Sequence, residues 1–370
     1  MKILKSAICF LFLAVYSAAQ VPTDLTSLFD YNKNEPLDVQ EHAIDRIQSA
    51  VLYDINYASS KGSRVTGYLV IPTKPGLHPG IVFGHWGQGN RQEFLPEALL
   101  YAEGGVASIM IDYPWTRPLP WRKPIFAADM SPEQDRDIAA QAVIDLRRAF
   151  DVLLQQPEID KKRIVYVGHS FGAQWGAILS AVDRRMAGSV LIAIAPSFAA
   201  INLEGNAPDV VELRNQVGIE AMKREEETMR SLDAINYVRY ASPIPLLFQF
   251  ALYEPSFSVA SMQALLDAAR GPKDLRWYHS GHELNDPEAM IDRARWISRR
   301  LSAPSILAAV RRRLCRAQSS RRDEVVRHQR AIGSSAALAS NKRTDSGGKA
   351  KRLPASSRFV LIPKNSAESP

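Results

Sequence analysis

Cysteine is almost missing from these 370 residues: Cys9 and Cys315 are the only two. So low a count excludes a disulfide framework and a cysteine-based metal site. The uncharged stretch at 6–21 falls short of the ~20 apolar residues needed to cross a hydrocarbon core, so no stable membrane span is expected. No internal repeat is visible, and the 20 glycines and 23 prolines are dispersed, which rules out collagen-like and low-complexity readings. The seven histidines include no pair at metal spacing with supporting carboxylates, so neither a metal nor another cofactor is expected. What is present is an ordinary globular composition, 46% hydrophobic and 23% charged, in a chain long enough to bury a core without crosslinks.

The net charge of +7 is unevenly placed. Residues 303–370 hold 15 basic and 4 acidic residues, leaving 31 basic and 35 acidic in 1–302. The basicity therefore belongs to one end, and the folded body offers no reason to bind nucleic acid. In 303–370 arginine clusters, Ser-Ser pairs and Gly347-Gly348 replace periodic apolar residues, and a disordered tail is expected there. At the other end, Lys2 and Lys5 precede an apolar run over 7–16 and then Ser17-Ala18-Ala19. This order predicts a secretory signal over 1–19, cleaved after Ala19, and a secreted or periplasmic mature protein. The expected folded domain is 20–302.

Within it, 40–50 reads as a helix, and alternation over 51–57 and 64–71 around Ser59-Ser60-Lys61-Gly62-Ser63 predicts an antiparallel hairpin. Short apolar runs at 80–83, 106–111, 164–167, 190–195 and 245–250 suit strands buried on both faces. A last strand is expected at 275–279, followed by a helix over 287–301. Ile138, Ala142, Leu146, Ala149, Phe150 and Leu153 recur at helical spacing behind Ser131-Pro132-Glu133, predicting a helix over 133–155. Strand and helix alternating in this way imply an α/β fold, a mostly parallel central sheet with helices on both faces. Two insertions interrupt it. Residues 114–124 (PWTRPLPWRKP) hold too many prolines for a helix or a central strand, and their Arg117, Arg122 and Lys123 could meet an anionic group. Residues 197–240 exceed one crossover helix and suggest a small helical cap, with Glu225-Glu226-Glu227 on a solvated face.

The chemically specific segment is 160–177, DKKRIVYVGHSFGAQWGA. A buried strand enters Gly168-His169-Ser170-Phe171-Gly172 and a small-residue helix leaves it, which is the G-x-S-x-G elbow in its strand–turn–helix context. Ser170 is the expected nucleophile, and a base and an orienting acid must follow it in the chain. His282, after Gly281 in the loop beyond the last strand, is the expected base, with His279 as the alternative. Glu254 is the first carboxylate after the preceding strand and the expected acid, with Asp267 as the runner-up. An oxyanion needs two donors: the Phe171 N–H by position, and Trp86 from the turn Gly84-His85-Trp86-Gly87-Gln88-Gly89. The His85 side chain is not expected to act as a base.

These motifs, D-x-x-R-I-x-x-x-G-H-S-x-G at 160–172, H-x-G-x-G at 85–89 and G-H at 281–282, resemble the α/β-hydrolase superfamily. More narrowly, they resemble its secreted dienelactone-hydrolase-like and prolyl-oligopeptidase-like serine esterases, over about residues 45–301. The resemblance implies a Ser170–His282–Glu254 triad, oxyanion donors at Trp86 and Phe171, and hydrolysis of a small-molecule carboxylic ester through an acyl-enzyme without a cofactor. The family's usual acid is an aspartate in a G-x-x-D turn, where this chain has Ala251-Leu252-Tyr253-Glu254. Dienelactone hydrolases proper carry a cysteine nucleophile, so their substrate does not transfer. A peptidase using the same triad and a non-catalytic hydrolase-like binding protein are the alternatives.

Overall fold

A computed structural model describes residues 21–317 apart from positions 48 and 128. The expected signal at 1–19 and residues 318–370 lie outside the described residues. Nine strands form one sheet: β1 (Gln40–Arg46), β2 (Ala50–Ala58), β3 (Arg64–Pro72), β4 (His78–Gly84), β5 (Ala107–Ile111), β6 (Ile159–His169), β7 (Gly188–Ile192), β8 (Leu246–Ala251) and β9 (Lys273–Tyr278). Their spatial order is β1-β2-β3-β5-β4-β6-β7-β8-β9. The first three strands and the β3–β5 pair are antiparallel, and every pairing from β5 to β9 is parallel.

Alternation decides which face each strand residue serves. Ile81 and Phe83 of β4 and Val165 and Val167 of β6 point to one side, Val82, Ile164 and Tyr166 to the other. On the first side lie the helices Leu95–Ala102 and Pro287–Arg300; on the second lie Pro132–Gln155, Phe171–Val182 and Val259–Ala268. The sheet is thus covered on both faces. Helix Pro132–Gln155 starts at a reciprocal cap in which Ser131 accepts the Gln134 N–H and the Gln134 side chain accepts the Ser131 N–H.

Four sequence expectations need correction. Residues 40–46 are a strand, not a helix: β1 pairs along β2, and its exposed charged residues blunt the sheet edge against further pairing. The folded body does not stop at 302, because residues 305–314 are helical and bury Ile306, Ala309 and Val310 on the Leu95–Ala102 side. Glu226 is buried rather than solvated. Arg117 is also wholly buried, in an ion pair with Asp145, while Arg122 donates to the Arg117 carbonyl and Lys123 to Gln141. The cations of loop 114–124 therefore anchor it inward. Residues 197–240 hold the helices Phe198–Asn202, Pro208–Val217, Ile219–Met229 and Ala234–Val238.

Candidate active site

Strands β4, β6, β7 and β8 all end on one edge of the parallel sheet, where ligands of open α/β sheets bind. β6 ends at His169 and the next helix begins at Phe171, leaving Ser170 between them with φ +55° and ψ −115°. A side chain at positive φ is strained, and the surroundings must impose it. They do: the Ser170 N–H donates to the Ile192 carbonyl at 2.9 Å, and the Gly172 N–H to the His85 carbonyl at 3.1 Å. A Cβ on Gly168 would collide with the Gly172 carbonyl, and one on Gly172 with the Gly84 carbonyl, so both must be glycine.

Glu254 lies three residues beyond β8. Its Oε1 accepts the Ser256 N–H at 2.9 Å and its Oε2 accepts from His282 Nδ1 at 2.7 Å. The carboxylate is 1% exposed and the imidazole 21%. With Nδ1 committed, Nε2 is the nitrogen left to exchange a proton. His279 instead meets the Tyr253 hydroxyl at 3.2 Å on the surface, and Asp267 accepts from Gln263 one helical turn away. His169, the residue before Ser170, lies against His282: the two rings are 5.2 Å apart, and His169 Nε2 is 3.0 Å from the His282 carbonyl. The structure records no hydrogen bond between Ser170 Oγ and His282.

Phe171 opens its helix, and its ring is held among Trp115, Trp175 and Phe198 at centroid distances of 5.5 to 6.4 Å. Trp86 is a correction: its N–H is taken by Glu93 Oε2 at 2.7 Å, so it is not a free donor. In the same turn Gly87 lies against the Phe171 ring and its carbonyl accepts from Trp115 Nε1 at 2.6 Å; its N–H has no partner among the described residues. His85 donates from Nδ1 to the Trp86 carbonyl and accepts the Tyr113 N–H at Nε2. Burial pushes its imidazole down to about 3, which keeps it neutral and structural.

No family model matches the chain. A polyketide transferase of Stachybotrys chlorohalonatus is 28% identical over 145 residues, 39% of this chain and 44% of that protein, so the match spans less than half of that relative. An acetyl xylan esterase from Paenibacillus sp. R4 superposes with a TM-score of 0.63 at 23% identity, covering 74% of this chain and 92% of the other. Acetyl xylan esterase 1 from Thermoanaerobacterium sp. JW/SL YS485 gives 0.60 at 17%, over 71% and 89%. An S-formylglutathione hydrolase from Agrobacterium tumefaciens gives 0.54 at 13%, over 71% and 99%. The chain has the α/β-hydrolase fold.

In this hydrolase fold a cavity of about 360 Å³ opens beside His282, with Trp86, Phe94 and Ile192 as apolar walls. Its charged lining is mostly acidic: Glu93, Glu97 and Glu283 face a single guanidinium, Arg293. Arg293 grips Glu97 twice at 2.8 Å, and although burial alone would raise the Glu97 carboxyl, that pairing holds it below its usual range. Sequence reasoning missed Glu93 and His169. His169 was visible as the residue before the expected nucleophile, but Glu93 is joined to it across 76 positions with no spacing to mark it.

Proposed function

We propose that the protein is a serine hydrolase of carboxylic esters that works through an acyl-enzyme, with Ser170 as nucleophile, His282 as base and Glu254 as orienting acid. The 2.7 Å contact of Glu254 with His282 Nδ1, in a chain whose elbow serine is held at positive φ, is the observation that carries this reading. Glu254 fixes the tautomer with Nδ1–H, so His282 Nε2 accepts the Ser170 proton as Oγ attacks the acyl carbon. Phe171 N–H, at the positive end of its helix, and Gly87 N–H take the developing oxyanion. His282 then returns the proton to the leaving alcohol, and water, deprotonated by the same nitrogen, releases the acid.

The esterases among the structural neighbours support this chemistry, and the cavity volume suits a small-molecule ester. A leader over 1–19 would deliver the enzyme outside the cytoplasm. The transferase relative favours a second reading, in which an alcohol rather than water clears the same acyl-enzyme.

The test is hydrolysis of nitrophenyl acetate and its longer homologues by the full chain and by Ser170→Ala. Wild type is expected to turn over and to label with a fluorophosphonate, and the alanine variant to do neither. A folded wild type that does neither overturns the proposal. Ester product accumulating on addition of an alcohol, in place of free acid, identifies the transferase.

A further inference from the structure

Behind the His282–Glu254 contact lies a second histidine–carboxylate pair that the triad does not use. His169 Nδ1 is 2.7 Å from Glu93 Oε1, and His169 Nε2 is 3.0 Å from the His282 carbonyl. Glu93 Oε2 accepts the Trp86 N–H at 2.7 Å. His169 is 6% exposed. Both of its nitrogens face acceptors, since a backbone carbonyl has no proton to give and a carboxylate already accepting an N–H behaves as one. A neutral imidazole has one N–H and can satisfy only one of them. The arrangement is complete when the ring donates from Nδ1 to an ionised Glu93 and from Nε2 to the His282 carbonyl.

We propose that Glu93 and His169 are a charged positioning pair that fixes the His282 loop and the Trp86 turn against the nucleophile elbow. The proposal rests on the triad reading and extends it. Three loops meet here: the turn after β4 through Trp86, the end of β6 through His169, and the loop after β9 through the His282 carbonyl. Glu254 sets the tilt of the His282 ring from its Nδ1 side, and His169 holds the backbone of the same residue from the other. By binding the Trp86 amide, Glu93 also fixes the turn that presents the neighbouring Gly87 N–H. The pair acts through other groups and touches no reacting atom. The remaining charged groups facing it are His282 itself, Glu283 and the Glu97–Arg293 pair, all in the wall of the same cavity.

Two measurements separate this proposal from the esterase reading. The first needs no turnover: ring ¹⁵N resonances of His169, assigned by comparison with His169→Gln, are read in Ser170→Ala at neutral pH. Two protonated nitrogens are expected, with one proton lost in the Glu93→Gln background. A single protonated nitrogen with Glu93 intact overturns the pair. The second is kinetic. Glu93→Gln should lower kcat for nitrophenyl acetate and the rate of fluorophosphonate labelling by about ten- to a hundredfold, leave KM within about threefold and shift the pH profile of kcat; Glu93→Asp should recover part of the loss. Unchanged labelling and pH profile in a folded Glu93→Gln overturn the positioning role. If wild type labels with nothing, the esterase reading falls while the resonances still decide the pair.

Discussion

A serine is a poor nucleophile until a base stands ready, and a base is ready only when its other nitrogen is fixed. In the proposed triad Glu254 does the fixing with its second oxygen, while the first is held by the Ser256 N–H. Glu254→Gln, which keeps the shape but can no longer accept unambiguously from Nδ1–H, should therefore cost about a thousandfold or more in kcat with little change in KM. His279→Ala should be close to wild type, because that ring meets only the surface Tyr253. Steady-state kinetics on the two variants checks both, and a dead His279→Ala beside an active His282→Ala would reverse the assignment of the base. At this scale legibility followed chain order. The elbow glycines are demanded by local crowding, and the proposed acid and base lie in the loops after successive strands, where a linear reading looks for them. Glu93 reaches His169 only through the folded sheet, and the occupied Trp86 amide follows from Glu93.

Elements were legible where one force dominated. Helix Pro132–Gln155 announces itself by apolar spacing and a cap, and β4 to β8 by short apolar runs that only a doubly covered sheet can bury. β1 failed because its residues are polar on both sides: an edge strand paired on one side has no apolar face to display. The insertion hides another such case. Glu226 accepts from Asn202 through one oxygen while its other oxygen has no partner, and Asp233 accepts the Phe198 N–H. Burial first, then neighbouring carboxylates, pushes Glu226 up to about 7; burial alone does the same for Asp233. A carboxyl whose folded pKa is raised stabilises the fold below its unfolded value and loses that contribution as pH rises through the folded one. Stability from these groups should fall between about pH 4.5 and 7. Glu226→Gln removes one of them, so it should match wild type near pH 4 and exceed it by about 3 kcal/mol at pH 8. Urea denaturation at the two pH values measures the difference, and equal stabilities at pH 8 would refute the burial argument. Phe198 stacks edge-on against Phe171 at 5.5 Å, so loosening the insertion would be felt next to the oxyanion donor.

The described residues form two apolar layers on one sheet, and the layer on the Leu95–Ala102 side closes only beyond the expected boundary. Arginine clusters after 310 give everything from 303 the look of a tail, although the same stretch holds four buried core residues, Ala303, Ile306, Ala309 and Val310. Ile306, Ala309 and Val310 are buried to within 1% of completely, and the Ile306 backbone packs so close to Gly104 that no side chain fits there. Burying an isoleucine and a valine contributes roughly 1.5–3 kcal/mol each, and the alanine adds a fraction of that. Against a net stability of about 5–15 kcal/mol for a typical domain, losing all three removes a large share of the margin. A chain ending at 302 should therefore melt at least about 10 °C below one ending at 314, or fail to fold, while the chain ending at 314 keeps its ester hydrolysis. Ser170, Glu254 and His282 all precede both ends, so any difference in activity between the two chains reports the packing of this layer and not the loss of a reacting group. Thermal melts of the two truncations decide the matter, and equal melting temperatures would return the boundary to 302.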